Sequence, residues 1–256
     1  MILKQDLITF FSERLQKLNR EGDLKITRFD LVFRNLMPIQ QKKLRDFCGD
    51  NFQDFLENGS VICIALAYNR SEILAIDQRT QQNKLNRDQW NVYASAYTLL
   101  NKYLNGLASE IADFTGGIPV LATLEDKINV VKHVNDYFPL TISHRFVAES
   151  AGLGWRGKNG LIIHPLYSCG IRLASILTPL TLAPDERIER SCADCTACHQ
   201  ACSFLKNQEK LTDYRENCRK FIQKLDLADE VCGKCIKACY IFSKFNDQFL
   251  LPDGKI

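Results

Sequence analysis

Hydrophobic residues recur at helical spacing in two places along the first part of the chain. Near the N-terminus, apolar residues three or four positions apart are interspersed with charged ones such as Lys4 and Arg14, which predicts an amphipathic helix. A second set extends from Trp90 to Leu107 and predicts one long helix with an aromatic stripe. We expect this stripe to pack in the core rather than to stack on a nucleotide or cofactor.

Short runs of β-prone residues predict strands between the helices. The run from Ser60 to Tyr68 is apolar throughout, which is typical of a strand buried on both faces. Shorter runs predict strands at 29–33, 118–124, 161–163 and 171–177, and helices are predicted at 126–136 and up to 150. Helices and strands therefore alternate, which predicts an α/β (α+β) core domain.

The chain is long enough for one substantial core and a smaller module. It has 256 residues, of which 46% are hydrophobic, and Pro179 and Pro184 mark a linker after the last predicted strand. We therefore predict an α/β core domain over 1–185 that holds the cofactor and substrate, a small module over 186–245 and a tail over 246–256.

Cysteines are concentrated in the predicted module. Eight of the eleven in the chain lie between Cys192 and Cys239, whereas an even distribution would place about two there. The first run, Cys192-x2-Cys195-x2-Cys198-x3-Cys202, has the spacing of bacterial ferredoxins, in which the fourth cysteine ligates the other cluster. We expect 4Fe-4S clusters, and paired structural zinc sites or a disulfide framework are the alternatives.

Crossed ligation of this kind assigns four thiolates to each cluster. One cluster is predicted to bind Cys192, Cys195, Cys198 and Cys239, and the other Cys202, Cys218, Cys232 and Cys235. The pattern departs from a plain ferredoxin because Ser203 and Tyr240 replace the usual prolines and Cys218 stands alone. The sequence thus predicts a C-terminal bacterial ferredoxin-like module carrying two 4Fe-4S clusters, a metal-binding module for electron transfer.

A glycine motif precedes the last predicted strands. Gly152, Gly154 and Gly157 fit G-x-G-x-x-G, but a helix is predicted before them and a strand after them, which reverses the order of a dinucleotide-binding fingerprint. We expect these glycines to let the backbone approach a bulky ligand, with Trp155, Arg156 and Lys158 facing that ligand or the adjoining cluster. A helix C-cap followed by a tight turn is the alternative.

The net charge and the lengths of the apolar runs limit the kinds of partner that we expect the protein to bind. The net charge of +3, from 33 basic and 30 acidic residues, does not favour nucleic acid or a membrane surface. The short basic cluster Gln41 to Arg45 is better explained as a solvated helix face than as a phosphate contact. Every apolar run is shorter than the about 20 residues of a membrane span. With no predicted signal peptide and clusters that favour a reducing compartment, we expect a cytoplasmic protein without membrane contact.

Three stretches carry a resemblance to a known family. SHRFVAESAGLGWRGKNGLII, IRLASILTPL and the cysteine runs resemble the epoxyqueuosine reductase-like family, in a short subgroup, over roughly Ser60 to Tyr240. The lone Cys218 in YRENCRKF is similar to the family pattern. Since this family is related to the reductive dehalogenases, the resemblance implies a cobalamin over an α/β domain, supplied with electrons by two 4Fe-4S clusters.

The resemblance also implies candidate catalytic residues. The family has an aspartate proton donor in a D-x-x-P segment, which matches Asp136 to Pro139 with a spacing to the glycine motif about two residues longer. His144 is a second candidate proton donor, because imidazole titrates near neutrality, although a structural histidine is the alternative. Cys48 and Cys63 are expected in the core, and Cys169 is expected to be a thiol rather than a ligand.

Three functional hypotheses follow. The first is an oxidoreductase that takes electrons from a donor protein through two 4Fe-4S clusters to a cobalamin, for a reductive step on a small-molecule or nucleoside substrate. The second is a non-catalytic electron carrier or activator of a redox centre on a partner protein. The third, implied by the family, is a tRNA queuosine-precursor reductase.

Overall fold

The computed structural model describes residues 2–122 and 131–245. Its helices are α1 (Lys4–Leu18), α2 (Phe29–Asn35), α3 (Pro38–Cys48), α4 (Phe52–Asn58), α5 (Arg70–Leu74), α6 (Arg87–Thr115), α7 (His144–Ser150), α8 (Ala197–Ala201), α9 (Ser203–Lys206), α10 (Tyr214–Leu225) and α11 (Lys234–Phe245). Its strands are β1 (Gly22–Arg28), β2 (Ser60–Ala67), β3 (Ile118–Val120), β4 (Trp155–Arg156), β5 (Ile162–Ile163) and β6 (Ile171–Thr178). Short 3-10 helices lie at Gly49–Asn51 and Val134–Tyr137.

Four strands form the main sheet, in the order β1-β2-β6-β3. Strand β1 is antiparallel to β2, with Gly22 opposite Leu66 and Arg28 opposite Ser60. Strand β3 is antiparallel to β6. Every residue of β2 is buried, as expected for a strand covered on both faces. The predicted buried strand is therefore confirmed, and β4 and β5 form a separate two-stranded sheet.

The predicted strand at 29–33 is wrong, because these residues begin helix α2. Phe29, Val32 and Phe33 are buried, and their spacing of three and four positions matches one face of a helix. The strand lies just before, in β1, where Leu24 and Ile26 are buried on alternate positions. The short apolar run thus forms part of a helix. The periodicity of such a short run does not distinguish a strand from a helix.

Some of the other predicted helices and strands are confirmed by the structure, and others are wrong. The helices at the N-terminus and over Trp90 to Leu107 are confirmed by α1 and α6, and the strands at 161–163 and 171–177 by β5 and β6. The strand predicted at 118–124 is observed at Ile118–Val120, and residues 123 and 124 lie outside the described residues. Of the helix predicted at 126–136, residues 126–130 lie outside the described part. For residues 131–136 the predicted helix is wrong, because the structure has there only the start of the 3-10 helix Val134–Tyr137.

Contacts between residues divide the chain into two units. The sheet unit comprises Met1–Leu66, Asn101–Trp155 and Arg172–Glu189. The cysteine unit comprises Ala67–Leu100, Arg156–Ile171 and Arg190–Ile256, so it includes segments that precede the predicted boundary near Asp185. That boundary stays a prediction. Within the described residues, no helix has the length and hydropathy needed to cross a membrane.

Candidate metal centres

All eight clustered cysteines lie in the cysteine unit, on or beside its helices. Cys192 and Cys195 precede α8, Cys198 lies in α8, Cys202 follows it, Cys218 lies in α10, Cys232 precedes α11, and Cys235 and Cys239 lie in α11. Helix α11 packs against α8, and α9 packs against both α8 and α10. These helix contacts bring together runs that are distant in the sequence, and all eight cysteines are free thiols in the structure.

The mutual electrostatic effects of the thiols identify a first group of four. Burial, and after it negative charge on Cys239, Cys192 and Cys195, raises the pKa of Cys198 to about 11. Burial also raises the pKa of Cys192, where charge on Cys239 and Cys195 has the same effect. Because the interaction between two charges weakens with distance, these mutual effects indicate that the four cysteines lie near one another.

The remaining four cysteines form a second group. The pKa of Cys232 is raised to about 12, mainly by burial and also by charge on Cys218 and Cys202, while the backbone N–H of Lys234 opposes the rise. The pKa of Cys235 is raised by burial and by charge on Cys232, Cys202 and Cys218, with a weaker effect from Cys198. The two groups coincide with the two sets predicted from crossed ligation, and ligation itself stays a prediction.

Among residues 2–122 and 131–245, no three His, Cys, Asp or Glu side chains are close enough to hold a single metal ion. A cubane differs from a single ion because it takes its four thiolates at four separate iron atoms. Burial raises the pKa of Cys192, Cys198, Cys218 and Cys232, so the positive charge of bound iron would be needed to ionise these thiols.

A lysine from the glycine motif holds the first cysteine loop. Lys158 Nζ donates hydrogen bonds to the carbonyl oxygens of Ala193, at 2.6 Å, and Cys195, at 3.1 Å. Its backbone N–H donates to the sulfur of Cys192 and helps to offset the effect of burial on that thiol's pKa. Of the two surfaces that Lys158 was predicted to face, the structure therefore places it on the cysteine loop.

The start of α11 is held by residues near the beginning of α6 and the end of α5. Trp90 is fully buried, and its Nε1 donates to the carbonyl oxygen of Cys232 at 2.7 Å. Lys237 Nζ donates to the carbonyl oxygens of Leu74, at 3.1 Å, and Ile76, at 2.6 Å. The aromatic stripe therefore packs in the core, as predicted, and its first residue also positions a candidate ligand.

The glycine motif packs against the protein itself. Gly152 has a φ of +73°, and a Cβ there would overlap the carbonyl oxygen of Glu186. The Gly152 N–H donates to Glu149 and the Leu153 N–H to Ala148, which is a Schellman motif that ends α7. The order of helix, glycines and strand is confirmed as the reverse of a dinucleotide site.

The second half of the motif is a tight turn. The Gly157 N–H donates to Leu161 at 2.8 Å, and a Cβ on Gly157 would lie 2.8 Å from Ile163 Cδ1 and 2.9 Å from Asn159 Oδ1. Trp155 is buried, with 3% of its surface exposed. These contacts favour the cap and turn over the ligand surface that the sequence analysis expected. The space beside Gly152 and Gly157 is filled by the protein, and the Lys158 ammonium group binds two carbonyl oxygens, so for these three residues the structure favours an internal role. Their contact with a corrinoid, and that of Gly154 and Trp155, stays a prediction.

Asp136 is engaged by the turn in which it lies. Its Oδ2 accepts hydrogen bonds from the backbone N–H groups of Lys132, at 2.8 Å, and His133, at 2.7 Å. These bonds cap the 3-10 helix Val134–Tyr137, and they use the carboxylate as an acceptor. The geometry supports a structural role, and the predicted role as a proton donor stays a prediction.

His144 is engaged at both ring nitrogens. Its Nε2 lies 2.8 Å from the carbonyl oxygen of Leu121, and its Nδ1 lies 2.8 Å from Ser175 Oγ. A carbonyl can only accept, so Nε2 carries the proton and Nδ1 accepts from the serine hydroxyl. Desolvation lowers the pKa of His144 to about 4; the Leu121 carbonyl opposes this shift, and the charge of Arg172 adds to it. The ring is therefore neutral at pH 7, which favours the structural alternative.

We expect His144 to make stability depend on pH below neutrality. The folded pKa of about 4 lies below the unfolded value, so the unfolded state binds more protons and stability falls as the pH falls through about 6.5. Between pH 7.5 and 5.5 this histidine should account for a loss of about 1 kcal/mol. Urea unfolding of the wild-type holoprotein and of His144→Gln, each at pH 7.5 and 5.5, measures the free energy of unfolding at both pH values. An equal loss of unfolding free energy between the two pH values in both proteins would contradict the prediction.

The fold and these groups define an α/β protein with two sets of four cysteines. No protein-family model matches the chain. Among curated proteins, the epoxyqueuosine reductase of Gloeobacter violaceus is 32% identical over 145 residues, which cover 56% of this chain and 39% of that protein. That of Bacillus subtilis is 43% identical over 126 residues, covering 44% of this chain and 32% of that protein. The predicted resemblance to the epoxyqueuosine reductase-like family is confirmed by these relatives.

The matched regions cover only part of each relative. A further epoxyqueuosine reductase, from Synechocystis, is 43% identical over 126 residues and is covered over 42% of its length. The chain thus spans less than half the length of these curated relatives. The solved structure of epoxyqueuosine reductase from Streptococcus thermophilus superposes with a TM-score of 0.49 at 19% identity, covering 91% of this chain and 65% of that one.

Proposed function

We propose that the chain is an iron–sulfur oxidoreductase of the epoxyqueuosine reductase kind, which passes electrons through two 4Fe-4S clusters to reduce a queuosine precursor carried on tRNA. The sequence similarity to curated epoxyqueuosine reductases carries this proposal. The grouping of eight thiols into two sets of four supports the cofactor. Among the three hypotheses, the tRNA reaction is favoured because the relatives are named for this substrate.

The chain's own residues would hold and position the clusters. Cys192, Cys195, Cys198 and Cys239 would bind one, and Cys202, Cys218, Cys232 and Cys235 the other. When bound, each cluster supplies transfer of single electrons. Lys158 would fix the loop of the first set through two carbonyl oxygens. Trp90 would fix the start of α11 through the carbonyl of Cys232.

The cobalamin implied by the resemblance is the less supported cofactor. Gly152, Gly157 and Lys158 were predicted to contact it, and their surroundings are filled by the protein itself. We therefore assign no step to it and no residue of the glycine motif as its ligand. Adding cob(II)alamin to the anaerobic holoprotein gives a direct test, because a base-off electron paramagnetic resonance signal would report binding.

The reaction is tested with the full chain purified without oxygen. We expect about eight irons and eight sulfides per chain, and conversion of epoxyqueuosine to queuosine in a tRNA anticodon stem-loop when a chemical reductant is supplied. The product is measured by mass spectrometry of the digested RNA, with Cys48→Ala as a control that loses a buried thiol outside both groups. An iron-loaded chain that leaves the RNA unchanged would contradict the tRNA proposal, and zinc in place of iron would contradict the clusters.

A non-catalytic electron carrier is the second candidate. It is favoured by one observation, that Asp136 and His144 are both engaged in local hydrogen bonds. In this case the donor protein would reduce the clusters, and the acceptor would be a redox centre on a partner protein. The reduced chain would then pass electrons to an added corrinoid protein at a rate that the stem-loop RNA does not change.

A further inference from the structure

A loop outside the cysteine runs surrounds the sulfur of Cys239. Ser168 Oγ lies 3.5 Å from Cys239 Sγ. The thiol and the backbone N–H of Cys169 are also in hydrogen-bonding positions to this sulfur, so three groups from two adjacent residues converge on it.

Cys169 is fixed in the position from which it donates. It is buried, with 2% of its surface exposed. Asn159 Nδ2 donates to its sulfur at 3.7 Å, and that sulfur lies 3.7 Å from the carbonyl oxygen of Ile236. Because the amide already donates to the sulfur, the S–H proton is available to an acceptor, either Ile236 or Cys239. A ligand sulfur that carries negative charge is the stronger acceptor of the two.

The segment that contains this loop also approaches a second candidate ligand. The Lys158 backbone N–H donates to Cys192, and the charge of Lys158 favours the thiolate there. Both sulfurs belong to the first group. In the second group, the described contacts that favour a thiolate are the backbone N–H and the charge of Lys234, both acting on Cys232. Donors are thus concentrated on the first group.

We propose that Ser168, Cys169 and Lys158 raise the reduction potential of the cluster bound by the first group above that of the cluster bound by the second. Reduction adds a negative charge to a cluster, and hydrogen bonds to its sulfurs and nearby positive charge stabilise that added charge. Electrons would then pass from the second cluster to the first, one at a time, with no bond formed or broken. This proposal rests on the two clusters of the proposed function, and Cys169 in it is a positioning residue rather than a ligand.

The test is a redox titration of the full, iron-loaded chain, followed by electron paramagnetic resonance. In Cys169→Ala we expect the midpoint of the first cluster to fall, with the ratio of reduced to oxidised cluster at a fixed potential lowered about tenfold, which is about 59 mV for one electron. Ser168→Ala should shift the same midpoint in the same direction by less. Cys169→Ser keeps a donor and should stay near the wild type, and so should the control Cys48→Ala.

Each midpoint is assigned with a variant that keeps one cluster. Cys218→Ala should retain the first cluster alone, and its midpoint should be the higher of the two in the wild type. Full iron content with both midpoints unchanged in Cys169→Ala and Ser168→Ala would overturn the proposal and leave the clusters intact. A shift in the second cluster would also overturn it, and so would loss of four irons in both Cys169→Ala and Cys169→Ser, which would make Cys169 a ligand. A wild-type chain without iron would overturn both this proposal and the proposed function.

Discussion

Replacing Cys239 with alanine should remove the cluster held by Cys192, Cys195 and Cys198 and leave the other in place. Cys239 lies in α11, far along the sequence from those three cysteines. Its charge nevertheless raises the pKa of both Cys192 and Cys198, so it lies beside them. We expect anaerobically purified Cys239→Ala to contain about four irons in place of about eight. Iron and sulfide analysis gives the count.

The variant Cys218→Ala is the matched test of the second group. Burial and the charge of Cys202 raise the pKa of Cys218, which identifies its neighbour. This variant should also lose about four irons, and the two variants should differ in which electron paramagnetic resonance signal remains. The crossed assignment fails if both variants keep the same signal. It also fails if Cys239→Ala spares the cluster that depends on Cys192.

The cysteine groups could be predicted because ligand spacing is a local property of the sequence. Three cysteines separated by two residues each can reach one cubane from a single loop and helix, so the run from Cys192 to Cys202 carried most of the information. The buried strand β2 and the long helix α6 were predictable for a similar reason, because the continuous apolar run of β2 and the helical period of α6 each extend over many residues. Short runs such as Phe29 to Phe33 gave no comparable signal.

The surroundings of the groups could not be predicted because they depend on tertiary contacts. Ser168 and Cys169 reach Cys239 across a large separation in sequence, and no spacing rule relates a hydrogen-bond donor to a distant sulfur. Trp90 could be predicted as a core residue, yet its bond to the carbonyl of Cys232 could not. Lys158 was predicted to face a ligand or a cluster, together with Trp155, only because both residues belong to a conspicuous motif.

The glycine motif shows how a local pattern can have two explanations. A glycine that lets a ligand approach and a glycine that lets the chain approach itself look the same in sequence. For Gly152 the deciding contact is the carbonyl of Glu186, which is the first residue of the predicted cysteine module. The number of glycines is therefore weaker evidence for a ligand than the sequence suggested, because the helix cap and the tight turn each require a glycine.

This packing predicts that Gly152→Ala destabilises the protein strongly. Alanine is disfavoured at a φ of +73°, and its Cβ would overlap the carbonyl oxygen of Glu186, which is backbone and cannot rotate away. Strain at positive φ and overpacking together should cost about 3 kcal/mol. For a chain of this size that lowers the apparent melting midpoint by roughly 6–12 °C. Melting of the iron-loaded chain at a fixed scan rate measures it.

Gly106→Ala is the matched control for this substitution. Gly106 lies within α6, and a Cβ there meets no atom within 4 Å. Alanine at an exposed helix position should stabilise the protein by up to about 1 kcal/mol, because it reduces the entropy lost on folding. The iron content of both variants should match the wild type. If Gly152→Ala melted normally while it abolished corrinoid binding, the motif would be a ligand surface after all and the packing argument would be wrong.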